Sequence, residues 1–129
     1  MINKIPFGYL LTLDLYGCRE GACDDLDLCY RFLEDIVVQL NMTKQSPPFV
    51  FRSDGATYPE KAGLSGWVPL IESGIQIHTL SPKNFISIDI YSCQNFSIEH
   101  IEDFVRNYFD CQEVELNYIE RGLKYNDIR

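Results

Sequence analysis

Apolar and polar positions alternate along this chain with two different periods, and each change of period marks an element. Residues 9–16 alternate strictly. Tyr9, Leu11, Leu13 and Leu15 share one face and Thr12, Asp14 and Tyr16 the other, which predicts a strand ended by Gly17. Residues 26–40 switch to a helical period, with Cys29, Phe32, Leu33, Ile36, Val37 and Leu40 in one stripe and Asp24 or Asp25 placed as N-cap. Pro47, Pro48, Gly55, Pro59 and Gly63 punctuate residues 46–63, which are predicted as a loop with a short edge strand at 49–51. Strands follow at 64–71, 75–80 and 85–93; in the last, Ile86, Ile88 and Ile90 point one way and Ser87, Asp89, Tyr91 and Cys93 the other. A second helix is predicted at 98–109, capped by Ser97, with Ile98, Ile101, Phe104, Val105 and Tyr108 inward, and a last strand at 113–119.

Strand, helix, several strands, helix, strand is the order of a two-layer α+β sandwich: a mainly antiparallel sheet with two helices on one face. The second face of the sheet is mixed. Asp14, Tyr16, His78, Asp89 and Cys93 fall on it, together with Leu10, Leu80, Phe85, Tyr91 and Ile119. So much apolar surface calls for a cover, most simply a second copy packed sheet to sheet. With no internal repeat or low-complexity segment, the 129 residues read as one domain, 1–129.

Charge narrows the partners. Nineteen acidic against 11 basic residues leave a net charge of −8, which repels nucleic acid and an anionic membrane and is compatible with a cationic small molecule. The cysteines at 18, 23, 29, 93 and 111 are odd in number and lack C-x-x-C spacing. That predicts free thiols in a reducing, cytoplasmic compartment rather than a disulfide scaffold or structural zinc. The N-terminal apolar run is broken by Asp14 and has no small-residue cleavage site, so neither a signal peptide nor a membrane span is expected. No metal site is expected either, because His78 and His100 fall in different elements.

Candidate chemistry lies between residues 63 and 93. Glu72-Ser73-Gly74 reads as a tight turn between two strands; His78 follows five residues on, and Cys93 ends the next strand. A serine, a histidine and a cysteine can form a nucleophile–base–acid set. The same residues also read as a turn serine, a structural histidine and a strand-end thiol, and spacing alone leaves both open.

The whole run resembles the short prokaryotic S-adenosylmethionine decarboxylase proenzymes. The resemblance is carried by Leu13-Asp14-Leu15-Tyr16-Gly17-Cys18, by Gly63-Leu64-Ser65-Gly66, by Glu72-Ser73 eight residues after Ser65, and by His78-Thr79 five further on. Asp89-Ile90-Tyr91-Ser92-Cys93 and Glu120-Arg121-Gly122 complete it. It covers nearly the whole chain and implies a self-cleaving pyruvoyl enzyme of polyamine synthesis. The Ser73 hydroxyl would attack the Glu72 carbonyl, His78 would assist loss of the Ser73 α-proton, and Ser65 would support processing. The products would be a β chain, 1–72, and an α chain, 73–129, the latter capped by a covalent pyruvoyl group made from Ser73. The substrate amine condenses with that ketone as an imine, which takes the electron pair left by CO2, and Cys93 then serves as proton donor. A homodimer of αβ protomers is implied.

Three positions depart from the family pattern. Gly74 stands where a histidine usually follows the cleaved serine. His78-Thr79-Leu80-Ser81-Pro82-Lys83 replaces a His-Thr-Trp-Pro-Glu run whose glutamate is expected to hold the ribose. The loop before Gly63 is also longer than the pattern, so Phe51 and Tyr58 are both candidates to stack on adenine. These departures leave two alternatives beside S-adenosylmethionine. One is arginine or ornithine, with Asp14, Asp89 or Glu72 holding the distal cation. The other is a non-catalytic paralogue that keeps the fold as a regulatory or dimer partner.

Overall fold

The alternation that predicts the strands is read out as one sheet. The computed structural model describes residues 4–128. Its strands are β1 (Gly8–Tyr16), β2 (Phe49–Ser53), β3 (Gly63–Leu70), β4 (Ser73–Leu80), β5 (Phe85–Ser92) and β6 (Glu113–Arg121), and its helices are α1 (Leu26–Gln39) and α2 (Ile98–Phe109). The strands form a single antiparallel sheet in the order β2-β3-β4-β5-β1-β6. The expected two-layer α+β architecture is therefore present. Among the described residues, no helix is long and apolar enough to cross a membrane.

One face of the sheet supplies Leu11, Leu13, Leu15, Ile75, Ile77, Ile86, Ile88 and Ile90 to a core closed by both helices. Removing each of these branched side chains from water is worth about 1.5–3 kcal/mol. Asp25 caps α1 by accepting the Leu28 N–H at 3.0 Å, and Ser97 caps α2 by accepting the His100 N–H at 3.2 Å. Phe32 of α1 centres the helix layer, with its ring 4.8 Å from Phe109, 5.2 Å from Tyr108 and 6.3 Å from Phe104. All five cysteines are free, with Cys18, Cys23, Cys29 and Cys111 buried and Cys93 exposed. Burial pushes the Cys18 and Cys29 thiols up to about 12.

Segment ends shift slightly from the sequence expectation. The loop before Gly63 is more regular than its prolines and glycines suggest, since β2 runs to Ser53 and a 3-10 turn forms at Pro59–Lys61. β4 starts two residues early, at Ser73, because Ser73 already pairs with Leu70 and Ser92.

Candidate active site

The β3–β4 hairpin has a two-residue loop, Ile71-Glu72, closed by the Leu70–Ser73 pair. Loops of this length favour glycine or asparagine at their centre, because the strand twist demands positive φ there. Neither is present, and the positive φ falls on Ser73, at 150°. L-residues rarely adopt that conformation, and holding one there stores about 1–3 kcal/mol.

Tertiary bonds keep the strained turn in place. Ile71 N–H donates to Thr43 O and Gln45 N–H to Pro69 O, each at 2.9 Å, while the Glu72 carboxylate accepts the Thr43 N–H at 2.9 Å. The segment following α1 thus grips the loop from one side. From the other, the Cys93 N–H donates to the Glu72 carbonyl oxygen at 2.9 Å. Glu72, Ser73 and Cys93 are therefore neighbours, and the carbonyl between the first two is already polarised by a backbone donor.

His78 is elsewhere. It pairs across strands with Ser65, and Ser65 Oγ and His78 Nδ1 share a hydrogen bond at 3.0 Å. Five residues of extended β4 separate His78 from Ser73, about 16 Å at the usual strand rise. One protomer therefore holds two separate half-sites, Glu72/Ser73/Cys93 at the start of β4 and Ser65/His78 further along it, and does not bring His78 to Ser73.

A hollow lies at each half-site. The one at Ser73, about 500 Å³, is walled by Trp67, Gln76, Asp89, Tyr91 and Arg121 among others. Burial, and secondarily the charge of Asp14, raises the Asp89 carboxyl above the ordinary range. The hollow at His78, about 390 Å³, shares Trp67 and Gln76 with the first and adds Phe49 and Phe51. The Phe49 and Trp67 rings stack at 5.7 Å.

Of the other sequence candidates, Phe51 lines the His78 hollow, whereas Tyr58 stands 60% exposed in the 54–61 loop and lines neither of these two hollows. Asp14 shares the face but lines neither; only its charge reaches Asp89. Gly74 is not forced by space, because a Cβ there would meet Trp67 Nε1 and Val68 O at an ordinary 3.4 Å. Gly63 is forced, since a Cβ would come within 2.0 Å of Thr79 O at φ 153°.

Sequence reasoning named Arg121 only as part of the Glu120-Arg121-Gly122 match and did not single out Trp67 or Glu60, which the fold brings to the walls of these hollows or of a third. Trp67 was legible as an apolar residue on the open-face parity of β3. Glu60 was not legible, because only the fold of the 54–61 loop brings it to a third hollow with Leu80, Pro82, Lys83 and Phe85.

Residues 9–122 match the family model described as S-adenosylmethionine decarboxylase. This chain belongs to the S-adenosylmethionine decarboxylase family. Among curated members, the S-adenosylmethionine decarboxylase proenzyme of Pyrococcus horikoshii is 33% identical over 121 residues, covering 93% of this chain and 82% of that one. The Clostridium botulinum proenzyme is 27% identical over 116 residues, covering 89% and 94%. The crystal structure of the adenosylmethionine decarboxylase from Aquifex aeolicus superposes with a TM-score of 0.76 at 25% identity, over 91% of this chain and 92% of that one. Membership in this family of decarboxylases gives the two half-sites their chemical context.

Proposed function

We propose that the chain is a self-processing, pyruvoyl-dependent S-adenosylmethionine decarboxylase that cleaves itself between Glu72 and Ser73. The observation that carries this reading is the strained Ser73, at φ 150°, beside a Glu72 carbonyl oxygen that accepts the Cys93 N–H at 2.9 Å. Attack by Ser73 Oγ on the Glu72 carbonyl carbon forms a C–O bond and breaks the peptide C–N bond. The hydroxyl proton passes to the residue 73 nitrogen and an ester replaces the amide. The Cys93 N–H receives the developing oxyanion, and cleavage releases the backbone strain. Loss of the residue 73 α-proton then expels the Glu72 carboxylate, and hydrolysis with loss of ammonia leaves the ketone.

The proton acceptor in that elimination is the partner's His78. Its own strand holds it about 16 Å from Ser73, and a face-to-face twofold dimer sets the Ser65/His78 half of one sheet against the Ser73/Cys93 half of the other. The half-exposed Trp67, at 48%, and Phe51, at 66%, supply apolar surface for that contact.

The residues at position 73 fit a pyruvoyl group: the serine that would become it lines a hollow, with Cys93 beside it. Once formed, the ketone supplies the electron sink for decarboxylation. The Cys93 thiol delivers a proton to the carbon that has lost CO2.

S-adenosylmethionine is favoured over arginine or ornithine by the chemistry of the His78 hollow. It presents aromatic rings and no carboxylate, which suits a purine and leaves a guanidinium or ammonium without a counter-charge. Glu60 of the 59–61 turn shares a hollow with Leu80, the last residue of β4, where the sequence run lacks its glutamate, and this supports a ribose contact. The intact set of Ser65, Ser73, His78 and Cys93 supports activity over a non-catalytic role.

Intact-mass measurement tests the reading. The expected result is two chains, 1–72 and 73–129, the second bearing a ketone terminus, with CO2 released from S-adenosylmethionine. A preparation that stays a single chain on prolonged incubation overturns it. A cleaved protein that releases CO2 only from arginine or ornithine overturns the substrate.

A further inference from the structure

Arg121 belongs to a motif whose other parts the fold explains. Gly122 turns the chain at φ 69°, where a Cβ would come within 2.6 Å of Phe7 Cβ, and Glu120 lies opposite Tyr9 on the other face of the sheet. Arg121 stacks on the Tyr91 ring instead. Among the described residues, none of the ion pairs includes it.

Its position follows from strand register. The Cys93 N–H meets Glu72, Ser92 pairs with Tyr9 so that Cys93 comes opposite Gly8, and Gly8 pairs with Arg121. Glu72, Cys93, Gly8 and Arg121 therefore form one row across the sheet. Gly8, the strand position between Cys93 and Arg121, contributes no side chain to the row, and the two backbones are two strands, or about 10 Å, apart. The guanidinium carbon sits 4.7 Å from the Tyr91 ring centroid, and Arg121 and Ser73 line the same hollow.

A guanidinium laid on an aromatic ring keeps its N–H edge free. That edge matches a carboxylate with two parallel hydrogen bonds. In a chain of net charge −8, a cation that enters no ion pair among the described residues and lines the Ser73 hollow points to an anionic ligand group. We propose that Arg121 receives the carboxylate of an α-amino acid substrate at the Ser73 hollow. The carbon bearing that carboxylate then lies within reach of Cys93. Asp89, in the same hollow, presents the opposite sign toward the substrate's amino group. Arg121 is thus a substrate-binding residue that selects for the amino-acid end. The assignment rests on the reading of Ser73 as the reactive position.

Calorimetry on the cleaved protein tests it with two probes. One is the desamino analogue of S-adenosylmethionine, which keeps the carboxylate and cannot condense with a ketone. The other is decarboxylated S-adenosylmethionine, which lacks the carboxylate. Arg121→Gln should weaken the desamino analogue about 10- to 100-fold, the worth of a charge-assisted pair, and leave the decarboxylated ligand within about twofold. Arg121→Lys, which keeps the charge and loses the fork, should fall between wild type and Arg121→Gln. Equal weakening of both probes, or of neither, overturns the assignment. Absence of self-cleavage in the wild type would instead overturn the functional reading beneath it.

Discussion

The backbone N–H of Cys93 donates to the carbonyl oxygen of Glu72 at 2.9 Å, so the residue after β5 grips the peptide bond that the residue before β4 presents. The bond proposed to break is thereby both polarised and joined to a strained serine.

Ser73→Ala and Ser73→Gly should both remain single, uncleaved chains on a denaturing gel. They should differ in stability. Glycine accepts φ 150° without strain, so Ser73→Gly should exceed Ser73→Ala by about 1 kcal/mol or more in denaturant unfolding. Equal stabilities would show that the turn carries no strain.

Glu72→Ala removes the acceptor of the Thr43 N–H and loosens the grip on the loop. Self-cleavage should slow several-fold in the time course of chain separation, whereas Glu72→Gln, whose amide oxygen still accepts, should cleave nearly as wild type. Identical rates for both variants would remove the side chain from any positioning role.

Co-expression distinguishes a one-chain site from a two-chain site. His78→Ala and Ser73→Ala homodimers should each stay uncleaved. In mixed dimers the His78→Ala chain should be cut, because its Ser73 faces an intact His78 from the other chain. Cleavage of the His78→Ala homodimer, or no cleavage in the mixture, contradicts the shared site.

The raised Asp89 carboxyl makes a signed pH prediction. A group whose pKa rises on folding contributes stability fully present below its unfolded value, about 3.9, and lost as pH climbs through its folded value. Asp89→Asn should therefore raise Tm relative to wild type at neutral pH, and the difference should vanish in acid. A constant difference across pH would assign the effect to packing.

Glu60→Gln should raise KM for S-adenosylmethionine about tenfold, the scale of one charge-assisted hydrogen bond, and leave self-cleavage unchanged in rate. An unchanged KM would place the ribose elsewhere.

Much of the fold was legible because its signals are local. The period-2 run in β1, the stripe from Cys29 to Leu40 and the Ser97 cap each specify an element from within it, and each element forms where its pattern falls. The strand order was not legible. β1 lies between β5 and β6, pairings that join residues far apart in the chain and that no local period encodes. Of the candidate site, the resemblance to the decarboxylase proenzymes picked out Ser65, Glu72, Ser73, His78 and Cys93, whereas Arg121 was legible only as a motif letter and Tyr58 was a candidate that the fold leaves outside both hollows.

The sequence by itself determined which residues alternate, which stripe is buried and which polar groups stand on the open face, since side-chain chemistry and chain periodicity suffice for these. Tertiary structure alone decided what those polar groups meet. Register across β4, β5, β1 and β6 puts Glu72, Cys93 and Arg121 in one row. The stiffness of an extended strand keeps His78 from Ser73. A two-residue loop lacking glycine moves the strain onto the serine itself.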